Sequence, residues 1–417
     1  MILKLLHRHL QTIVVFAGSL FAFLMITYVA LVYAEHGAWI IIFSIGFLCA
    51  LATGLYVKST ALKLVLFHVG AALFAFAIFE SFLEYTFQKT FFGGKMVNEG
   101  GCYEPGYYDS HPFLGYGPGK DGEYSCIKYI NDELVYDVTY TRKNGLRVVP
   151  ASNQYSQDAA IFLGCSFTFG EGLGDHATIP NQFNLHSGGQ YNVKNYGFHG
   201  YGPHQMLKNI KQKVRSDIEG MDGNHVAFYT FIPDHIKRAA GKTKWDRSGP
   251  RFEIENDELV YKGSFNFQSP EYFGQSNTVR RVLTALQKSR IYYQVFIARD
   301  VNQKDLDRTI AIISRSNQLL SEMGVDFHVA VWDLYHIGYA FHTQDDFDYF
   351  IEQLEKENIS MLKISSLIDS ERILDYTLHQ HDAHPNEKAT ELIARELRAL
   401  SLGIGSASHI YTDSLIP

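Results

Sequence analysis

AAIFLGCSFTFGEG, at residues 159–172, decides how this chain is read. Its first half is a short, uninterrupted apolar run, the pattern of a strand buried on both faces of a parallel sheet. Its second half breaks that run with Gly164, Cys165 and Ser166. Open α/β sheets keep their reactive groups where the chain turns at the carboxyl end of a strand. Ser166 is therefore the candidate nucleophile.

A serine hydroxyl becomes a nucleophile only when a base takes its proton, and an imidazole oriented by a carboxylate is the usual base. Far downstream the chain offers one, Asp382-Ala383-His384-Pro385-Asn386, directly before a helical pattern at 387–400. Plainer readings exist for each residue. Ser166 also suits the cap of the following helix, Asp382 suits a turn, and His384 suits a solvated position.

The order of these pieces resembles the SGNH (GDSL-type) hydrolase superfamily. Gly164-Cys165-Ser166-Phe167 is similar to the family's first block, with Cys165 where an Asp is common. The stretch from Asn195 through Gly197 and His199 to Gly200 and Gly202 is similar to the second block, and the resemblance implies that Gly200 offers a backbone N–H to the oxyanion. Asp382 and His384 match the last block, although many members space these residues three apart rather than two. The third block departs: Phe231-Ile232-Pro233-Asp234-His235 lacks the family's Asn. Asp234 and His235 stand at that place as candidate replacement donors or substrate contacts, and equally as polar surface beside Lys237 and Arg238. The resemblance runs over roughly residues 109–402.

Apolar, β-rich runs at 159–163, 191–194, 225–232, 291–298 and 325–332 alternate with helical patterns at 203–216, 276–289, 302–323, 344–357 and 386–400. Alternation of this kind predicts a parallel sheet covered by helices on both faces. Residues 133–141 read as a strand of a lead-in, and 251–261 as a hairpin turning at Asn256-Asp257 beside the site. The fold class is α/β. The resemblance implies a three-layer α/β/α, flavodoxin-like domain.

At 417 residues, with 46% hydrophobic and 14% aromatic residues, the chain has material for a large core and for more than one domain. Residues 13–33, 38–57 and 61–83 are apolar stretches close to the ~20 residues that cross a bilayer, so three transmembrane helices are expected. Lys4, Arg8, Lys58 and Lys63 place the amino terminus and the second connection inside, which puts all that follows the third span on the extracytoplasmic side. The expected organisation is a membrane domain at 1–88, an extracytoplasmic lead-in with β-structure at 89–150 and an SGNH hydrolase-like domain at 151–417. Cys49 lies in the second span and Cys165 in the nucleophile turn. Cys102 and Cys126 are left as a disulfide candidate in an oxidising compartment, or as two free thiols.

The net charge of −7 argues against nucleic acid as a partner. His381 and His384 form a His-x-x-His pair with no third ligand in view, so no metal and no cofactor is assigned. The aromatic segment Tyr103, Tyr107, Tyr108, Phe113 and Tyr116 reads as a sugar-stacking surface or as packing for the lead-in. The resemblance and the tether together imply a serine esterase or O-acyltransferase (an acetyl esterase or O-acetyltransferase) acting on cell-envelope carbohydrate or a small ester. Acyl transfer would draw on a multi-span membrane partner that brings the donor. The rival reading is a non-catalytic SGNH-like binding or assembly subunit of an envelope polysaccharide complex.

Overall fold

The computed structural model describes residues 38–92, 98–102, 104–243, 245–265, 301–334, 341 and 343–404. They divide into a helical unit and an α/β unit that begins at Val97.

The helical unit contains α1 (Ala38–Tyr56) and α2 (Thr60–Phe92). The two pack through paired phenylalanines, Phe43 on Phe76 with ring centres 5.6 Å apart and Phe47 on Phe74 at 4.9 Å. Among the described residues one helix is long and apolar enough to cross a membrane, at Thr60–Phe82 of α2. Its Leu64, Phe67, Ile78 and Phe82 side chains are exposed. Of the three expected spans, the third is therefore the one helix among the described residues that is long and apolar enough to cross. The first lies outside the described residues. The second corresponds to α1, whose apolar stretch Ile42–Gly54 lies within it.

The α/β unit opens with β1 (Asn98–Gly101), β2 (Tyr108–His111), β3 (Gly115–Pro118), β4 (Gly122–Ile130), β5 (Glu133–Lys143) and β6 (Leu146–Arg147). Next come β7 (Ala159–Gly164), α3 (Ser166–Phe169), α4 (Ile179–His186), β8 (Asn192–Asn195), α5 (Pro203–Asn209), β9 (His225–Phe231) and α6 (Asp234–Ala239). The hairpin β10 (Pro250–Glu255) and β11 (Glu258–Ser264) precedes α7 (Gln303–Ser321), β12 (Val325–Val331), α8 (Gln344–Lys356) and β13 (Ser360–Lys363). The chain closes with β14 (Thr377–His379), β15 (Asp382–Pro385) and α9 (Glu387–Ser401).

One nine-stranded sheet runs in the order β1-β4-β5-β6-β8-β7-β9-β12-β13. Its half from β8 to β13 is parallel. Its other half is antiparallel and joins through the pairing of Arg147 with Asn195. Residues expected as a separate lead-in thus extend the main sheet. A fully parallel sheet is corrected to a mixed one, because β6 reaches back across a tight turn and completes the open edge of β8.

Every residue of β7 and β9 is buried, as two covered faces require. Side chains alternate between faces. Ile161 and Leu163 join Leu207, Ile313 and Phe350 on one side, while Ala160 and Phe162 join Phe183, Ile393 and Leu397 on the other. Side-chain caps start the covering helices: Asn302 and Asp305 on α7, Thr343 and Asp346 on α8, and Asn386 on α9. The helix expected at 203–216 is α5, continued through a π-helical turn at Ile210–Val214 to Ile218. The β10 and β11 hairpin turns on Asn256 and Asp257, both with positive φ, and it buries Phe252 in the core. The strand and helix expected at 291–298 and 276–289 lie outside the described residues. Strand β13 was not anticipated.

A third core is built of aromatic rings, with Tyr124 and Tyr140 of the antiparallel half and Tyr107 just before β2 meeting Phe169, Phe198 and Tyr201. Cys102, just after β1, is disulfide-bonded to Cys126 on β4 with Cα atoms 4.9 Å apart. The bond closes a loop of sequence separation 24. Replacing both cysteines with serine should lower stability by about 3 kcal/mol through the freed loop. A denaturant midpoint unchanged between the Cys102→Ser/Cys126→Ser variant and the parent would contradict this.

Candidate active site

The turn at the end of β7 is made for a close approach. Gly164 has φ 148°, and a Cβ there would lie 2.2 Å from Thr168 Oγ1. Thr168 instead donates to the Leu163 carbonyl at 3.1 Å. Cys165 precedes the single helical turn α3, and Gly170 ends it in the left-handed region. Ser166 stands first in that turn and is 7% exposed.

Ser166 meets His384. The Ser166 Oγ to His384 Nε2 distance is 2.8 Å, and His384 Nδ1 lies 2.5 Å from Asp382 Oδ1. A carboxylate only accepts, so Nδ1–H donates to Asp382 and Nε2 is left to accept from the serine hydroxyl. The spacing of two, rather than three, has a local cause. Asp382 and His384 lie on the extended strand β15, where residues two apart project to the same face. His384 also fixes its partner through the backbone, its N–H donating to Asp382 Oδ1 at 3.1 Å. Phe167 packs on the imidazole with ring centres 5.1 Å apart and braces it against Trp332.

Lys128 of β4 donates to Asp382 Oδ2 at 2.7 Å. Burial would raise the Asp382 carboxyl, but His384 and Lys128 outweigh it and hold the group below its ordinary range. The Ser166 turn is gripped from β6 by the buried Arg147. Its Nη1 donates to the carbonyls of Phe169 and Gly170, both at 2.6 Å, its Nη2 to that of Leu173, and its Nε pairs with Asp175 at 3.0 Å. The guanidinium lies 4.5 Å from the Tyr140 ring centre and 4.6 Å from that of Phe169. Tyr140 completes the grip by accepting from the Gly172 N–H at 2.7 Å.

Gly200 adopts φ 73°, and a Cβ would sit 2.5 Å from the Tyr116 hydroxyl and 2.6 Å from Trp245 Nε1. Tyr116 donates to the His199 carbonyl at 2.8 Å and Trp245 to the Gly200 carbonyl at 3.2 Å. Both neighbours of the turn are thus tied from the side.

Asp234 and His235 are not part of this group. Asp234 is taken by Arg238, one helical turn on, at 2.8 Å. His235 is fully buried, with Nδ1 2.7 Å from the Tyr229 hydroxyl, and burial pushes its pKa well below the ordinary value. Among the described residues neither is hydrogen-bonded or ion-paired to Ser166, His384 or Asp382; the side chains expected as replacement donors or substrate contacts are paired with Arg238 and Tyr229. In the aromatic segment, Tyr107 is packing at the centre of the third core.

Four charged or polar groups at the site escaped the sequence reading. Glu171 and His199 lie inside stretches already singled out, and a glycine beside each was the available hint. Lys128 and Arg147 come from strands whose alternation gives no signal of a site.

No protein-family model and no curated protein matches the chain. Among solved structures, a protein of the G-D-S-L family from Desulfitobacterium hafniense DCB-2 is similar over 59% of this chain and 99% of its own, at 12% identity and a TM-score of 0.34. A Bacillus subtilis protein is similar over 70% of this chain and 69% of its own, at 10% identity and a TM-score of 0.32. Likenesses this distant leave the chemistry to be argued from the site itself.

Proposed function

We propose that this protein is a serine-dependent esterase or O-acyltransferase of the SGNH type, tethered to a membrane and acting on O-acylated cell-envelope carbohydrate. The observation that carries the reading is the continuous line from the Ser166 hydroxyl through the His384 imidazole to the Asp382 carboxylate, at 2.8 and 2.5 Å. Ser166 Oγ attacks the ester carbonyl as its proton passes to Nε2. The imidazolium then returns that proton to the departing alcohol, and Asp382 holds the tautomer throughout. The amides of Ser166 and Gly200 are the proposed donors to the oxyanion. Water resolves the acyl-enzyme in hydrolysis and a sugar hydroxyl resolves it in transfer, in which case a multi-span membrane partner supplies the donor.

Two features support the location. The apolar helix Thr60–Phe82 supplies a tether, and the Cys102–Cys126 disulfide fits an oxidising, extracytoplasmic compartment.

A fluorophosphonate probe tests the reading directly, because attack by an activated serine expels fluoride and leaves a covalent label. Full-length protein is expected to label stoichiometrically and Ser166→Ala not at all. A folded wild-type chain that takes no label would instead mark a non-catalytic binding subunit.

A further inference from the structure

A second chain of the same three group types runs into the first. The Tyr107 hydroxyl lies 2.7 Å from His199 Nε2, and His199 Nδ1 lies 2.8 Å from Glu171 Oε2. By the argument used for His384, Nδ1–H donates to the carboxylate and Nε2 accepts from the phenol. Tyr107 is fully buried, and its burial pushes the phenol pKa up, so it remains a donor. Glu171 Oε2 is also 3.5 Å from His384 Nε2, the nitrogen that faces Ser166. Its backbone N–H is bound to the Ser166 carbonyl at 2.9 Å, which ties Glu171 to the nucleophile turn.

We propose that Glu171 is a second carboxylate for His384, aimed at Nε2 by His199 and Tyr107, and that it stabilises the imidazolium created when Ser166 attacks. The inference rests on the serine-hydrolase reading. In the attack step the Ser166 O–H bond breaks, its proton forms Nε2–H, and the freed oxygen pair bonds to the acyl carbon. Positive charge appears on the ring between Asp382 at Nδ1 and Glu171 at Nε2.

The groups that face this pair come from several elements. His384 is met by Asp382 of β15, Glu171 of the nucleophile turn and Lys128 of β4. Glu171 is met by His384, His199 and Lys128, with the phenols of Tyr136 and Tyr140 from β5 alongside. Burial opposes charge on Glu171, yet His384, His199 and Lys128 outweigh it and hold the carboxyl at about 2. Burial likewise opposes charge on His384, and Glu171 and Asp382 together outweigh burial and Lys128, so its pKa is raised. The base works only when neutral. Activity should therefore rise with pH through a limb above the ordinary imidazole value of about 6.5.

The test is the pH dependence of fluorophosphonate labelling, and of kcat/KM on a p-nitrophenyl ester, with the full chain. Glu171→Gln keeps the size and removes the charge. The acid limb should move down by about one pH unit or more, and the plateau should fall by about tenfold. Tyr107→Phe retains Glu171 but frees the far end of its support, so a smaller shift of the same sign is expected. An acid limb that stays in place in both variants, with rates lowered equally at every pH, overturns the role of Glu171 while leaving the serine reading intact. A folded wild-type protein that is unreactive at every pH overturns both.

Discussion

His384→Ala is expected to lower kcat for an activated ester by on the order of 10⁶-fold, with little change in KM. The imidazole is the only group within hydrogen-bond reach of the Ser166 hydroxyl among the described residues, at 2.8 Å. Without it the alcohol keeps its proton and the leaving group finds no acid. Because serine and imidazole act as one unit, the Ser166→Ala/His384→Ala double variant should be no slower than either single one. Asp382→Asn should cost less, about 10⁴-fold, since the imidazole remains but its tautomer is no longer imposed. Steady-state kinetics on full-length protein read all three. A His384→Ala chain within tenfold of the parent would end the triad reading.

Arg147→Ala carries the largest expected loss of stability. Arg147 is fully buried and is bound to three carbonyls of the nucleophile turn and to Asp175. Truncation removes a donor from each of those carbonyls, leaving that of Gly170, among the described residues, only the Leu173 N–H, and removes a cation that lies against both the Tyr140 and Phe169 rings. Removing one partner of such a buried pair costs about 3–5 kcal/mol. Arg147→Lys restores a charge opposite Asp175 but lacks the planar fork of donors, so it should recover only part of the loss. Calorimetric unfolding measures the effect. A destabilisation below about 1 kcal/mol for Arg147→Ala would show that the turn holds itself, since that is no more than one ordinary hydrogen bond contributes.

The site joins two halves of one sheet. From the parallel half come Ser166, at the end of β7, and Phe167, which packs on the imidazole. From the antiparallel half come Lys128, Arg147 and Tyr140, and Tyr140 shares one aromatic core with Tyr107 and with both cysteines of the Cys102–Cys126 bond. Loss of that disulfide should therefore disturb the strand carrying Lys128 as well as the overall stability.

Local pattern determined much of this protein in advance. The apolar run before Gly164 made β7, the capping residues Asn302, Thr343 and Asn386 opened helices, and Asn256-Asp257 made a hairpin, because each depends on neighbours in the chain. The pairing of Asp382 with His384 was legible for the same reason, as a strand sets residues two apart on one face. Tertiary structure alone decided the rest. Lys128 lies on a strand of alternating exposure and meets its carboxylate 254 positions away. Glu171 and His199 become partners only when the ends of β7 and β8 lie side by side. Asp234 meets Arg238 by helical spacing alone, whereas His235 was drawn to Tyr229 because a buried imidazole takes whatever partner the packing brings within reach, and sequence order does not encode that distance.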